Sequence, residues 1–469
     1  MGNKKILIAG AGLSGLSVAY KLSQKGFNAK VIEKNNFVGG ISSTFAYKDF
    51  LLDYGPHKIY TIMPEIENFI KGLLKEELLK KPKKCLVFLE GKFFNYPVRI
   101  PQLLLGINPV KSLKMGFSFL SSSLKNAKKK DDKNYSDYLS NRFGKEVYNL
   151  VFDGYANKVW GNPKEISSDL AKARISAPNL LSLIKASIFK EKKPELSAEF
   201  FYYPKKGIIQ LSENLAKGIE KNKGEVILNK KISTIFWNEK TGFEYALAEA
   251  NGKEEKIQAD IFVSTMPLPE LINSMNPKPP KKVLDAANNL KLNSLVLLYL
   301  IIKKPRALES NWIYFPEKKF LFNRISEQKG MSEFTCPKSK TALCIEFTST
   351  KENSFEAISA EDLFGKILPD LEKIGICKKG DIEEVFIKRI PKVYPIYSLD
   401  YKENLSIILN FLDNIPNMLT VGRNGLFNYN NMDHCIDSGF KAAENIYLGK
   451  SREEWATERE SFYNYKIID

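Results

Sequence analysis

The sequence predicts an α/β protein: a discontinuous domain built from βαβ units, into which an α+β domain with an antiparallel sheet is inserted. Three observations predict it. An apolar run, a glycine-rich turn, a helical pattern, a second apolar run and an acid follow one another between Lys5 and Glu33. The same alternation of short apolar runs and helical patterns returns at 205–270 and at 395–450. Between these stretches, Lys291 to Arg389 is rich in strand patterns. The first domain is accordingly assigned to 1–75, 205–270 and 395–450, the inserted domain to 76–204 and 271–394, and a C-terminal extension to 451–469.

Lys5 to Ala9 is a near-continuous apolar run that ends in glycine, as suits a parallel strand covered on both faces. Gly10 permits a tight turn, Gly12 lets the backbone approach a pyrophosphate, and Gly15 lets the next helix pack against the strand. That helix, Leu13 to Lys25, turns its positive dipole end toward phosphates and stops at Gly26. Ala29 to Ile32 forms the second strand, and Glu33 is placed to accept both ribose hydroxyls of an adenosine half. The same acid would repel a 2′-phosphate. Gly39 and Gly40 follow. The longer pattern resembles the extended fingerprint of glutathione-reductase-like FAD proteins, and that resemblance makes FAD the expected cofactor.

At 469 residues the chain exceeds one ordinary core. Its formal net charge of +17 favours an anionic partner, although a general lysine bias would produce the same number. No interleaved aromatic and basic motif of an RNA-binding type is present, so nucleic acid is not an expected partner. The five cysteines, Cys85, Cys336, Cys344, Cys377 and Cys435, are scattered and never form CxxC. This fits a reducing cytoplasm and supplies neither a zinc site nor a disulfide framework, so no metal is expected. The nucleotide pattern begins directly after Asn3, which leaves no room for a signal peptide, and the longest apolar run, Leu295 to Ile302, is too short to span a bilayer. A cytoplasmic chain is expected, with peripheral contact to the inner face of a membrane left open.

Farther along, His57 is one of only two histidines and lies between Gly55-Pro56 and an apolar run, where its ring would be constrained. Residues 64–81 read as one amphipathic helix ending in lysines, and Phe93 to Pro97 as extended chain. Leu103 to Leu124 is apolar with lysines only at Lys111 and Lys114, and a basic run follows at 125–133. Two readings of it stay open: a core helix pair with an exposed linker, or a segment lying on a membrane surface. Tyr155 and Trp160 flank Lys158 and offer faces that stack on a base or sugar, unless Trp160 is simply core. Strand patterns at Leu295 to Ile302, Trp312 to Tyr314, Phe322 to Glu327 and Ala342 to Thr348 would roof a cleft, with Tyr314 and Arg324 among its polar points. Near the end, a strand meets Gly422 and Arg423, and a polar stretch through Tyr429, Met432, Asp433 and His434 leads into a helix from Ile436 to Tyr447. Such a helix start can present N–H groups to an anionic cofactor.

Gly55-Pro56-His57 with Thr61, Gly154-Tyr155 with Lys158 and Trp160-Gly161, Asn323-Arg324 with Glu327, Tyr394-Pro395, and Gly422-Arg423 followed by Tyr429 and Met432-Asp433 occur in order over nearly the whole chain. In this the sequence resembles the flavoprotein superfamily of amine oxidases, protoporphyrinogen oxidases and UDP-galactopyranose mutases, most of all its mutase-like branch. The resemblance implies an enzyme with a glutathione-reductase-like FAD-binding Rossmann domain. In the mutases the reduced flavin acts as nucleophile toward the anomeric carbon of a UDP-sugar. Carried over, Tyr155 and Trp160 line the substrate pocket, Arg174 and Arg324 clamp two phosphates, Tyr394 adds a hydroxyl and His57 sits beside the flavin. Tyr314, on the roofing sheet, is a further substrate-facing aromatic. Gly422, Arg423, Tyr429, Met432 and Asp433 join the N-terminal glycines and Glu33 at the cofactor. Tyr60 stands where the mutases carry a second histidine, and Phe347 where they carry a phosphate-binding tyrosine. These two differences point away from galactopyranose itself, and the implied substrate is an anionic small molecule, a UDP-sugar or another nucleotide-linked or lipid-linked sugar of cell-surface glycan synthesis. The alternative is an amine-oxidase-like or protoporphyrinogen-oxidase-like dehydrogenase.

Overall fold

The structure, a computed structural model, describes residues 4–98, 100–125, 132–175, 199–350 and 354–467. A five-stranded sheet runs in the order Met418–Thr420, Ile261–Ser264, Lys5–Ala9, Asn28–Ile32, Glu225–Ile227, and every pairing in it is parallel. Its central strand buries Ile6, Leu7 and Ile8 completely, as a strand covered on both faces must. Helix Leu13–Gln24 packs against helices Ile209–Lys221 and Met432–Leu448. The second of these contacts depends on close backbone approach, because a Cβ on Gly439 would lie 2.7 Å from both Ser14 O and Ser17 Cβ. Elements far apart in sequence are thereby held around the first glycine turn.

A four-stranded sheet drawn from residues 231–276 lies beside this unit. The larger, seven-stranded sheet runs Ile382–Ile396, Lys291–Ile302, Thr341–Ser349, Arg324–Glu327, Trp312–Tyr314, Cys85–Leu89, Lys92–Asn95. It is antiparallel as expected, save that Trp312–Tyr314 pairs parallel with Cys85–Leu89. Side-chain alternation gives it two apolar faces. Val296, Leu298, Leu300 and Ile302 join Ile345 and Phe347 in a core closed by Leu363, Ile367 and Leu371 of helix Ala360–Lys373. On the other face Leu295, Leu297 and Tyr299 meet Phe50 and Leu52 of the hairpin formed by Thr44–Tyr47 and Phe50–Asp53. That hairpin runs directly into His57.

The helix expected over 64–81 is shorter. It spans Pro64–Leu74 and buries Ile66, Ile70 and Leu74; after a single turn, Leu78–Pro82 pairs antiparallel with Phe200–Pro204. The helical period ends at Leu74, and the partner of the following strand is too distant in sequence for any local pattern to reveal it. Leu103 to Leu124 falls in two helices, Ile100–Gly106 and Pro109–Lys125, with Leu103 and Met115 buried.

Candidate functional site

The glycines around the first turn divide into two kinds. A Cβ on Gly10, whose φ is +104°, would lie 2.2 Å from Thr265 Oγ1, and one on Gly15 would lie 2.1 Å from Gly10 O. These positions exclude a side chain because the protein itself fills the space. At Gly12 a Cβ would meet nothing within 4 Å, and at Gly40 only the Cα of Gly12, at 3.6 Å. Gly39 bridges to Gly12 and donates its N–H to Ala11 O at 2.8 Å, so two bare backbones border an open crevice at the helix N-terminus. Glu33 is buried at the end of the second strand, accepting from Ala11 N at 2.9 Å, Asn35 N at 2.9 Å and Asn35 Nδ2 at 2.7 Å.

Gly422, where a Cβ would lie 2.7 Å from Ser14 Oγ, brings the C-terminal strand and helix against this crevice. Met432 opens that helix, and Asp433 in its first turn is buried, with burial raising its carboxyl above the usual range. Ser43 Oγ, His57 Nδ1 and Asp433 Oδ1 are buried without a hydrogen-bond partner among the described residues. Unsatisfied buried polar atoms beside an open, phosphate-compatible backbone are what a long polar cofactor would satisfy. The second histidine has a different place. His434 Nδ1 accepts from Asn431 N at 3.2 Å and its ring stacks on Tyr465 at 4.4 Å, so it caps the helix.

The strand that leads into His57 is anchored by a buried network at Asp53, four residues before it. The Asp53 carboxylate accepts from Thr44 Oγ1 at 2.6 Å, Tyr203 Oη at 2.6 Å and Ile208 N at 3.3 Å, and the Asp53 carbonyl accepts from Tyr299 Oη at 2.5 Å. Burial pushes the Asp53 carboxyl up to about 7 even so. Gly55, at φ +88°, then turns the chain toward the cleft. His57 is partly exposed, but burial of the ring and the positive charges of Arg324 and Arg423 lower its pKa to about 3. Its imidazole is neutral at physiological pH.

Around it the expected substrate-facing residues gather from separate stretches of sequence. Tyr155 packs edge-on against Trp160 and against Tyr314, each with ring centroids 5.9 Å apart. Tyr394 stacks on Tyr429 at 5.7 Å, and Trp160 Nε1 donates to Tyr429 Oη at 2.5 Å, joining the two groups. Three guanidiniums sit on these rings: Arg174 is 5.2 Å from Tyr429 and 5.8 Å from Trp160, Arg324 is 5.6 Å from Tyr314, and Arg423 is 5.5 Å from Tyr394. Arg423 also donates from Nε to Asn430 O at 2.8 Å, which ties down the loop before the C-terminal helix. Tyr60 lies outside this cluster, its ring 6.3 Å from Phe200.

Three residues matter here that the sequence reading did not single out, or gave no role. Glu346 receives the Arg324 fork, Nε to Oε1 at 2.7 Å and Nη2 to Oε2 at 2.9 Å, leaving Nη1, which bonds no other described residue. Burial opposes the Arg324 charge, but Glu346 outweighs it and keeps the guanidinium ionised. The expectation that position 347 faces the phosphate is corrected by the pleat: Phe347 points to the opposite face and packs with Phe322 and Phe355, and the cleft side belongs to Glu346. Lys158 donates to the carbonyl oxygens of Phe315, Glu317 (3.2 Å), Phe320 (3.3 Å) and Phe322 (2.9 Å). It thereby pins the loop between the Tyr314 and Arg324 strands to the helix bearing Tyr155 and Trp160, and burial lowers its ammonium to about 7. Asp53 is the third.

An open glycine crevice with a ribose-level acid, running toward a cleft under a second sheet, defines a flavin-dependent enzyme. The chain belongs to the flavin containing amine oxidoreductase family, whose model matches residues 13–446, and its cofactor is FAD. The probable UDP-galactopyranose mutase of Klebsiella pneumoniae is 25% identical over 178 residues, which is 37% of this chain and 45% of that protein. Protoporphyrinogen oxidase 2 of Arabidopsis thaliana is 23% identical over 488 residues, 94% of this chain and 93% of that one. The solved structure of reduced UDP-galactopyranose mutase superposes with a TM-score of 0.84 at 18% identity, covering 99% of each chain. At that identity the likeness shows the fold.

Proposed function

We propose that the enzyme acts on an anionic activated sugar, nucleotide-linked or lipid-linked, within the cleft bordered by His57, Arg174, Arg324 and Tyr155. The observation that carries this reading is the set of three arginines on tyrosine and tryptophan faces around a neutral histidine. Bound FAD supplies either a hydride acceptor or, when reduced, a nucleophilic ring nitrogen. The chain's own residues would do the rest. Tyr155 and Tyr314, both half-buried, offer aromatic faces to a base or sugar ring, while Trp160 is buried in the core and backs Tyr155. Arg174, and Arg324 through Nη1, meet phosphate oxygens, while Glu346 fixes the Arg324 plane before a ligand arrives. Tyr394 contributes a hydroxyl beside them, and His57 lends a hydrogen bond without adding charge.

The same geometry disfavours an amine. At about 6 Å and an effective dielectric near 20, a guanidinium opposes a substrate ammonium by about 3 kcal/mol, an effect that Glu346 largely cancels for Arg324. A porphyrinogen, whose carboxylates suit the arginines, is the second reading, and the near-full-length similarity to a protoporphyrinogen oxidase favours it. The two separate by product. Dithionite-reduced holoenzyme is incubated with UDP-linked and dTDP-linked hexopyranoses and the sugars are scored by NMR; the sugar reading expects a new ring form without net redox. No conversion, together with reduction of the oxidised flavin by a porphyrinogen, would replace it.

A further inference from the structure

Helix Pro109–Lys125 has two apolar sides. One is packed: Met115 is 3% exposed, and the helix lies on Tyr135–Phe143 and Lys145–Val147, close enough that a Cβ on Gly144 would fall 2.7 Å from the Ser118 carbonyl carbon. On the opposite side Val110, Leu113, Phe117 and Leu120 are 64%, 64%, 66% and 53% exposed. Their spacing by three and four residues aligns them in one stripe along the helix. Leu105, in the helix just before, is 89% exposed. Single apolar residues on a surface need no explanation, but an aligned row of four does.

The shape and charge of the row indicate what covers it. The stripe stands on a convex helix, so a rigid partner would need a matching groove, whereas a lipid headgroup layer deforms around a ridge. Lys114 flanks the stripe, whereas Lys111 lies one turn before Met115 on the other side and is paired with Glu90 at 2.7 Å. The chain as a whole carries +17. Two copies meeting through this face would bring lysines together between two strongly positive chains, while an anionic bilayer would attract both. Among the described residues no helix is long and apolar enough to cross a membrane. We propose that Pro109–Lys125 docks the enzyme on an anionic lipid bilayer, with Val110, Leu113, Phe117 and Leu120 inserted at headgroup depth and Lys114 at the lipid phosphates. Packing through Lys145–Val147 connects the docked helix to the segment that leads into Tyr155, so the substrate cleft would be held near the membrane surface.

The test is co-sedimentation of the FAD-loaded full chain with vesicles of phosphatidylcholine alone or of an equimolar mixture with phosphatidylglycerol, at low and high salt. The parent protein is expected to pellet with the anionic vesicles, less so at high salt. Leu113→Ser with Phe117→Ser should weaken that partition about tenfold or more, with flavin content and melting temperature unchanged. In a Phe117→Trp variant, the emission gained over the parent with its four buried tryptophans should be that of a solvent-exposed indole in solution and should shift to the blue on anionic vesicles. The proposal is overturned if the parent ignores anionic vesicles, or if the double serine variant binds them equally well. It is also overturned if sedimentation equilibrium shows a dimer that the double variant loses, since a second copy would then cover the ridge. A Phe117→Trp minus parent difference emission already blue without lipid would mean that another part of the chain covers it, and would equally overturn the proposal.

Discussion

Arg324 and Glu346 stand directly opposite each other on neighbouring antiparallel strands and meet in a bidentate ion pair, at 2.7 Å and 2.9 Å. The sheet register therefore orients the guanidinium in the cleft before any ligand is present. The pair is nearly buried, with side-chain exposures of 18% and 5%, so removing one partner leaves a charge that little else compensates. Arg324→Ala is expected to destabilise the holoprotein by about 2–4 kcal/mol in denaturant unfolding. The double change to Ala at both positions should cost clearly less than the sum of the two single changes. Additive costs would show that the pair is not coupled.

Lys158 couples the two walls of the cleft through four backbone carbonyls. Lys158→Met keeps the aliphatic stem and removes the ammonium, releasing the loop between the Tyr314 and Arg324 strands. The expected result is a KM raised about tenfold with a smaller change in kcat and unchanged flavin content, because the change falls on the substrate wall. Lys158→Arg should not restore KM, since a planar guanidinium cannot address the same four acceptors. Steady-state kinetics against flavin absorbance check both statements.

The His57 pKa, about 3 in the folded chain against an ordinary 6.5, gives a signed pH effect. The unfolded chain takes up the proton first, so the contribution of neutral His57 is fully present above about 6.5 and is lost as pH falls toward about 3. Asp53, raised to about 7, works in the opposite sense, gaining stability as pH falls from about 7 to its unfolded value of 3.8. A His57→Gln comparison isolates the first effect. The parent should lose on the order of 3 kcal/mol more than the variant between those limits, by unfolding of the cofactor-free protein. Parallel pH curves would contradict it.

Gly12→Ala separates folding from cofactor binding. The added methyl meets no protein atom within 4 Å, so the cofactor-free fold should melt at the parent temperature. The same methyl enters the space over which a pyrophosphate must approach the backbone, and FAD affinity should fall about tenfold or more. Flavin titration followed by fluorescence, beside thermal melting, reads the two quantities independently.

What was legible in the sequence was what is encoded locally. The strand, the glycine turn, the helix and Glu33 lie within thirty-odd residues, and their periodicities and spacings stand in the folded chain much as read. For His57, Arg174, Arg324, Tyr155 and Tyr394 a shared site was an expectation from the family resemblance, and for Tyr314 from the strand pattern around it, because no local pattern relates positions so far apart. Glu346 and Asp53 were not singled out, and Lys158 was given no role, for a physical reason. Their partners lie 22, 157 and 150 residues away in sequence, and each becomes conspicuous only when burial brings the charge against that partner. Position 347 shows how a one-residue difference in strand placement exchanges a core phenylalanine for a cleft carboxylate.

The central claim, that the arginine and aromatic cleft takes an anionic activated sugar beside the flavin, is tested most directly by titrating the dithionite-reduced holoprotein with UDP-sugars and following flavin absorbance. A saturable spectral change is expected, with affinity at least tenfold weaker in Arg174→Ala and in Arg324→Ala. No change with any UDP-sugar, together with rapid bleaching of the oxidised flavin by a porphyrinogen or an amine, would contradict it.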